Sequence, residues 1–249
     1  MSNRMKENRA LLRRIATLHE ASHETYGSPR VFEALKDHEV PCGKNRVARL
    51  MRYAGLQGRV VKVTRRAPGV QQFFERHENL RMGNPVPSMI NQQWVGDITF
   101  LRVQGQPCFL SVVMDLCSRK IIGWALGRNR STQLTTRALT RALEERKPLP
   151  GCIFHSDRGS EYGGYDYANL LKRYGFCISM NRSYHSQDNA HMESFFHSMK
   201  AEWIRGRSFE SYAHLESALK TYMRFYNRYR LHSGIDYQTP VEYEKKITH

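Results

Sequence analysis

Residues 186–200 read Ser186-Gln187-Asp188-Asn189-Ala190-His191-Met192-Glu193-Ser194-Phe195-Phe196-His197-Ser198-Met199-Lys200. Apolar side chains recur here at the spacing of one helix face, which predicts a helix packed on a core. Asp188 is placed to cap the start of that helix, and Glu193 lies at the edge of its buried face. The predicted core-facing residues are Met192, Phe195, Phe196, Met199 and Trp203.

Two aspartates upstream lie in or directly after segments typical of β-strands. Asp97 falls inside 94–103, a run rich in β-branched and aromatic residues. Asp157 follows the short apolar run 152–156, and Gly159 then gives the backbone room to turn. Further strands are predicted at 108–114, 120–126 and 176–180, and helices at 131–146, 165–174 and 209–230.

Three motifs together resemble one known family. They are the strand holding Trp94 and Asp97, the run 155–162 (His-Ser-Asp-Arg-Gly-Ser-Glu-Tyr), and 188–190 (Asp-Asn-Ala) followed by 193–196 (Glu-Ser-Phe-Phe). The family is the DDE transposases with a retroviral-integrase-like core, in the insertion-sequence branch whose catalytic subunit is called OrfB. The resemblance extends over nearly the whole chain.

The resemblance and the order of elements imply an α/β fold. Three strands followed by alternating helices and strands are the order of a ribonuclease-H-like core, a mixed five-stranded sheet flanked by helices. A small all-α helix-turn-helix module is expected before it. The predicted division is 1–60 for this module, 61–92 for a basic linker, 93–208 for the catalytic core, and 209–249 for a C-terminal helix and tail packed on the core.

Three converging carboxylates predict a divalent-metal site, because such groups repel one another unless cations lie between them. We expect two Mg²⁺ ions, with Mn²⁺ as a substitute, and Asp97, Asp157 and Glu193 as both metal ligands and catalytic residues. In this hypothesis Asp97 bridges the ions, and Asp157 and Glu193 each bind one. Water would attack when a DNA end is nicked, and a 3′-hydroxyl would attack when strands are joined.

Each carboxylate also has an ordinary interpretation. Asp97 on a strand surface, Asp157 in a turn, or Glu193 paired with a nearby cation would need no metal. Asp115 is the nearest competing acid, and we assign it to a strand-end turn. Three positions depart from the family pattern: Gly96 for a common threonine, Glu161 for a common glutamine, and Gln187 for a common tryptophan.

The composition favours a polyanionic partner. The 249 residues carry 39 Lys and Arg against 23 Asp and Glu, a formal net charge of +16. No apolar run approaches the ~20 residues of a membrane span, no leader opens the chain, and five cysteines without a CxxC pair fit a reducing cytoplasm. His19 and His23 resemble half of a zinc site, but without a cysteine pair we interpret them as helix-surface residues.

Arginines and one lysine are candidate DNA contacts, although a solvated basic face is the ordinary alternative. The third N-terminal helix, predicted at 44–53, carries three of them on its exposed side. The residue seven positions after Glu193 is basic in the family and is Lys200 here. The full set of candidates is Arg46, Arg49, Arg52, Arg65, Arg66, Arg158 and Lys200.

The prediction is therefore a transposase catalytic subunit that cuts double-stranded DNA at the inverted-repeat ends of an insertion sequence and joins the 3′ ends to target DNA. A ribonuclease-H-like nuclease without strand joining and a transposon-derived, non-catalytic DNA-binding protein are the alternatives. The resemblance also implies a homo-oligomer on DNA and an upstream-frame helix-turn-helix and coiled-coil protein, fused or separate. We expect a bacterial cytoplasmic protein, associated with the nucleoid when bound to DNA.

Overall fold

The protein is represented by a computed structural model that describes residues 3–58, 77–82, 86–182 and 185–248. The helices are α1 (Asn3–Ala21), α2 (Ser28–Asp37), α3 (Lys44–Tyr53), α4 (Thr132–Glu145), α5 (Tyr165–Arg173), α6 (Ala190–Met199), α7 (Tyr212–Arg228) and α8 (Pro240–Ile247). The strands are β1 (Gln93–Val103), β2 (Gln106–Asp115), β3 (Ile121–Gly127), β4 (Ile153–Ser156) and β5 (Cys177–Met180). Within these ranges, no helix has the length and apolar character needed to cross a bilayer.

The five strands form one mixed sheet in the order β3-β2-β1-β4-β5. The first three are antiparallel neighbours, as expected for strands joined by short turns. The strands β4 and β5 run parallel to β1 and reach their places through helical connections. This arrangement confirms the predicted ribonuclease-H-like α/β core.

Helices cover both faces of the sheet. The helices α4 and α5 bury one face together with Trp94 and Phe154. Gly123 on β3 permits the close approach of α4, since a Cβ there would lie 2.2 Å from the carbonyl oxygen of Ala138. The helices α6 and α7 share a second apolar cluster with the other face and with α1, α2 and α3. The N-terminal module therefore packs on the core.

The segment between α1 and α2 is joined to the C-terminal tail by hydrogen bonds. The buried Tyr26 hydroxyl donates to the carbonyl oxygen of Tyr229 at 2.8 Å and accepts from the backbone N–H of Leu231 at 2.9 Å. Arg30 donates from Nε to the Leu231 carbonyl oxygen at 3.1 Å. We call Tyr26, Arg30, Tyr229 and Leu231 the tail clasp.

A buried carboxylate extends the tail clasp toward α6. Glu202 lies in a π-helical segment, Lys200–Ile204, that continues α6. It accepts two hydrogen bonds from the buried Arg230, at 2.8 and 2.7 Å, and one from the Tyr222 hydroxyl at 3.1 Å. Arg30 lies 3.6 Å away from the same carboxylate. One charged group thus links the N-terminal module, the tail and the α6 helix.

Most predicted elements agree with the structure to within a few residues. The predicted helix 209–230 begins at Tyr212, because the Ser211 side chain caps it by accepting from the N–H of His214 at 3.1 Å. Of the predicted linker 61–92, residues 61–76 and 83–85 lie outside the described residues. The division into 1–60, 61–92, 93–208 and 209–249 stays a prediction.

Candidate active site

Asp97 and Asp157 are brought side by side by the pairing of β1 with β4. In these parallel strands each paired residue of β1 lies opposite the residue sixty positions later in β4. The last pair joins Val95 to His155. Each aspartate follows its member of that pair by two residues, so the two side chains lie at matching positions along neighbouring chains. Both are partly exposed. The strand register thus places Asp97 and Asp157, which are sixty positions apart in the sequence, next to each other at one end of the β1–β4 pair.

Glu193 lies in the first turn of α6, and the start of that helix is fixed on β1. The buried Asn189 side chain donates from Nδ2 to the carbonyl oxygen of Gly96 at 3.2 Å, one residue before Asp97. Because Glu193 follows Asn189 by four residues, the two share one side of the helix. The Glu193 side chain is exposed, and its negative charge acts on Asp97.

The site carries unfavourable negative charge. Burial raises the pKa of Asp97 well above its ordinary value, and the charges of Asp157 and Glu193 raise it further. The N–H of Ile98, which donates to Asp97 at 2.7 Å, opposes this effect. The pKa of Asp157 is raised by burial and then by Glu161. The carboxylates therefore repel one another, which a bound cation would relieve.

An ion pair with a buried carboxylate lies next to Asp157. Arg130, the residue before the Ser131 cap of α4, donates from Nε to Oε1 of Glu161 at 2.6 Å and pairs with it through Nη2. The Nη2 atom also lies 3.7 Å from Oδ2 of Asp157. The side chain of Glu161 is 3% exposed and that of Arg130 is 46% exposed. Arg130 was not among the predicted site residues; the available signal was Glu161 within the 155–162 motif, an acid that would need a cationic partner if it were buried.

The donor chemistry of the three acids fits a divalent cation. Carboxylate oxygens are the ligands that Mg²⁺ and Mn²⁺ prefer, and mutual repulsion among these groups favours a positive charge between them. In the part of the chain that the structure describes, however, no three His, Cys, Asp or Glu side chains are arranged to hold one metal ion. The meeting of Asp97, Asp157 and Glu193 at a metal therefore stays a prediction.

The prediction for Asp115 is confirmed. Its buried side chain accepts from the N–H groups of Cys117 at 3.0 Å and Ser118 at 3.4 Å, in the turn after β2. A second oxygen accepts from the N–H of Asn91 at 2.7 Å. Asp115 therefore has a structural role outside the candidate site.

The prediction that Asp188 caps α6 is wrong. The residue before the helix is Asn189, whose side chain makes no capping hydrogen bond. Asp188 instead accepts from Asn79 at 2.8 Å and from the backbone and guanidinium of Arg182 at 2.9 to 3.2 Å. Although burial opposes the effect, the hydrogen bonds from Arg182 lower the pKa of Asp188 to about 2. The charge-assisted hydrogen bonds from Arg182 are stronger than a helix cap, and they hold the Asp188 side chain away from the start of α6.

Gly96 also has a local explanation. A Cβ atom at this position would lie 2.7 Å from Cζ of the Phe154 ring. The threonine common in the resembling family would therefore clash with Phe154 as this chain packs it. Gln187, the other departure near Glu193, is exposed in the short turn before α6.

The predicted DNA contacts on α3 divide into two kinds. Arg49 and Arg52 are exposed. Arg46 is held against α1, donating to Asn8 at 2.9 Å and pairing with Glu7 at 3.2 Å. Arg49 and Arg52 are therefore the better placed of the three to meet a nucleic acid.

The other predicted DNA contacts are more varied. Arg158 donates to the backbone carbonyl oxygens of Asn181 at 2.6 Å and His77 at 3.3 Å, which gives it a structural role beside Asp157. Lys200 is partly buried at the first position of the π-helical segment. Arg65 and Arg66 lie outside the described residues.

Three family models match the chain. An integrase core domain model matches residues 87–186, a second integrase core domain model matches 174–240, and an HTH-like domain model matches 6–64. A chain of a simian T-cell lymphotropic virus intasome, in complex with PP2A regulatory subunit B56 gamma, matches with a TM-score of 0.53 and 14% identity. That match covers 92% of this chain and 74% of the other. The fold is thus that of an integrase core preceded by an HTH-like module.

Curated relatives give the family. Transposase InsF for insertion sequence IS3A of Escherichia coli strain K12 is 37% identical over 230 residues, 90% of this chain and 78% of the relative. The transposase for insertion sequence element IS904 of Lactococcus lactis is 30% identical over 254 residues, 98% of this chain and 97% of the relative. The chain is therefore a polynucleotidyl transferase in class, with an integrase core. Within that class, the chain belongs to the IS3-type, OrfB-like insertion-sequence transposases.

Proposed function

We propose that this transposase cleaves DNA at insertion-sequence ends and joins the freed 3′ ends to target DNA by two-metal phosphoryl transfer. The register-matched pair of Asp97 and Asp157, with Glu193 acting on it from α6, is the observation that supports this proposal. The chain belongs to a transposase family with an integrase core, and these three acids are the candidate catalytic residues of that core.

Two displacements at phosphorus account for the reaction. In the first, the oxygen of water bonds to the phosphorus at the element's end, and the bond to the 3′ oxygen breaks, leaving a 3′-hydroxyl. In the second, that hydroxyl oxygen bonds to a target phosphorus, and the target's 3′ oxygen leaves with a proton. Asp97, Asp157 and Glu193 would hold two Mg²⁺ ions or Mn²⁺ in their place, which supply activation of the attacking oxygen and stabilisation of the leaving oxygen.

The proposed partners are double-stranded DNA at the inverted-repeat ends and in the target. The net charge of +16, the exposed Arg49 and Arg52 and the HTH-like module support DNA binding. A homo-oligomer assembled on DNA, and an upstream-frame helix-turn-helix and coiled-coil protein, fused or separate, are also part of the proposal.

The test uses labelled duplex carrying the inverted-repeat end that flanks the gene, target plasmid, and Mg²⁺. Wild type should release and join the 3′ end, and Asp157→Asn should bind the duplex but give neither product. Asp166→Asn, which neutralises an exposed acid at the start of α5, is the matched control and should keep full activity. Cleavage without joining would favour the ribonuclease-H-like nuclease. Binding without chemistry in wild type would favour the non-catalytic DNA-binding protein.

A further inference from the structure

We infer that Arg130 binds a phosphate oxygen of the DNA strand that enters the site beside Asp157. This inference rests on the proposed function and adds a substrate-contacting residue to it. The guanidinium is held in place by Glu161, which stands where the related family commonly has a glutamine. The pair of Arg130 and Glu161 is called the anchored guanidinium below.

The anchoring leaves one edge of the guanidinium available. Nε and Nη2 of Arg130 are bound by Glu161, and Nη2 also faces Asp157. Among the described residues, Nη1 has no hydrogen-bond partner, and 46% of the side chain is exposed. The Glu161 carboxylate is buried, so water does not compete for its bonds to Arg130. A fixed, half-exposed guanidinium is suited to binding a phosphate oxygen.

The backbone around Asp157 also restrains the anchored guanidinium. A Cβ at Gly159 would lie 2.3 Å from Oε1 of Glu161 and 2.9 Å from Nη2 of Arg130. The N–H of Gly159 donates to Oδ1 of Asp157 at 3.1 Å. Asp157, the Gly159 backbone and the anchored guanidinium therefore form one packed unit. Because Arg130 is already ordered, little side-chain entropy would be lost on binding DNA.

The charge balance of the site supports the same role. Asp97, Asp157 and Glu193 all repel a phosphate, and Glu161 adds a fourth negative charge that acts on Asp157. Arg130 is a cation in direct contact with this cluster. The alternative is that Arg130 only neutralises the buried Glu161, in which case removing both charges together would leave the reaction intact.

The test therefore compares Arg130→Gln, Arg130→Lys and the double variant Arg130→Gln/Glu161→Gln with wild type. Arg141→Gln is the matched control, since Arg141 lies on α4 and donates to the Trp124 carbonyl oxygen of β3. Strand joining is measured against the concentration of labelled end duplex in Mg²⁺. Duplex binding is measured against salt in EDTA, and thermal unfolding is followed for each variant.

Arg130→Gln should raise the KM for end duplex about tenfold or more, as expected for a lost charged hydrogen bond. It should also reduce the slope of log affinity against log salt by about 0.9. The double variant leaves no buried carboxylate unpaired, so it should be thermally more stable than Arg130→Gln. Its KM for end duplex should stay raised. Arg130→Lys should recover part of the joining activity, and Arg141→Gln should match wild type.

Recovery of wild-type KM and salt slope in the double variant would overturn the inference, as would an unchanged KM in Arg130→Gln. Either result leaves the proposed function intact if wild type joins strands and Asp157→Asn does not. If wild type joins nothing, the proposed function fails, while the salt slope in EDTA still decides whether Arg130 contacts DNA.

Discussion

Asp97 carries its charge close to two other acids, and this arrangement destabilises the protein when no cation is bound. Burial and the neighbouring Asp157 both disfavour the ionised form of Asp97. A residue that we propose as a metal ligand is therefore a source of strain in the metal-free chain. A single substitution can distinguish the stability of the metal-free protein from its response to added Mg²⁺.

Asp97→Asn should raise the melting temperature in EDTA by about 2–4 °C, which corresponds to ~1 kcal/mol for a chain of this size. An asparagine keeps an oxygen that accepts from the N–H of Ile98 but removes the repulsion. Added Mg²⁺ should stabilise wild type and not the variant. Thermal unfolding with and without MgCl₂ measures both effects, and a wild type that is insensitive to Mg²⁺ would contradict the metal site.

The stability of the fold should fall as the solution is acidified, and His232 is one reason. Burial, and then the charge of Arg230, lower the pKa of His232 well below 6.5. The unfolded chain therefore binds a proton near pH 6.5 that the folded chain does not bind, so stability rises with pH through this range. Between pH 6 and 5, His232→Asn should reduce the slope of unfolding free energy against pH by about 1.4 kcal/mol per unit.

Urea unfolding at several pH values measures that slope. Asn45→Ala, at an exposed position without a titratable side chain, supplies the control and should leave the slope unchanged. Burial also lowers the pKa of His155 and of His191 to about 4. Both variants should therefore keep some acid sensitivity. Equal slopes for His232→Asn and wild type would show that His232 is not held neutral in the fold.

At the scale of elements, the tail clasp explains how the N-terminal module is held. Tyr26→Phe keeps the ring but removes the hydrogen bonds with Tyr229 and Leu231. We expect a loss of about 1–3 kcal/mol in unfolding free energy, because the partner groups are left unsatisfied. Denaturant unfolding measures this loss. Tyr53→Phe, at an 85% exposed position, should have no effect, and equal stability of the two variants would count against the clasp.

The sequence predicted elements well where the signals were local. The bounds of α3 match the predicted 44–53, and α4 begins directly after the predicted Ser131 cap. The prediction for Asp188 failed because its partners, Arg182 and Asn79, are contributed by other segments. The π-helical segment after α6 was likewise not predicted, and Glu202 within it is held by the distant Arg230. Tertiary contacts overrode local preference at Asp188.

The candidate site shows the same division. Asp97, Asp157 and Glu193 were predicted as a set from their motifs, and the register of β1 with β4 brings the first two together. The pairing of Arg130 with Glu161 was not predicted, because the two residues are thirty-one positions apart and no periodic pattern relates them. Arg46 looked like its neighbours in sequence, but Glu7 and Asn8 hold it against α1.

At the scale of the whole molecule, a net charge of +16 predicts DNA binding that is strongly dependent on salt. If six phosphates are contacted, the affinity for duplex should fall by about 10³ between 50 and 200 mM salt. Arg49→Gln/Arg52→Gln should reduce the slope of log affinity against log salt by about 1.8. Arg46→Gln, the control on the same helix, should change it less. Fluorescence anisotropy checks this, and equal slopes would remove α3 from the interface.

The tail clasp has a consequence for synthesis on the ribosome. Tyr26 is translated 205 residues before Leu231, its hydrogen-bond partner. At about 5–20 residues per second, the nascent N-terminal helices wait roughly 10–40 s for that partner to be made. During this interval the Tyr26 hydroxyl and the Arg30 side chain lack the carbonyl oxygens of Tyr229 and Leu231 as hydrogen-bond acceptors. Synthesis of the segment 229–231 is therefore the step that allows the N-terminal module to be joined to the tail.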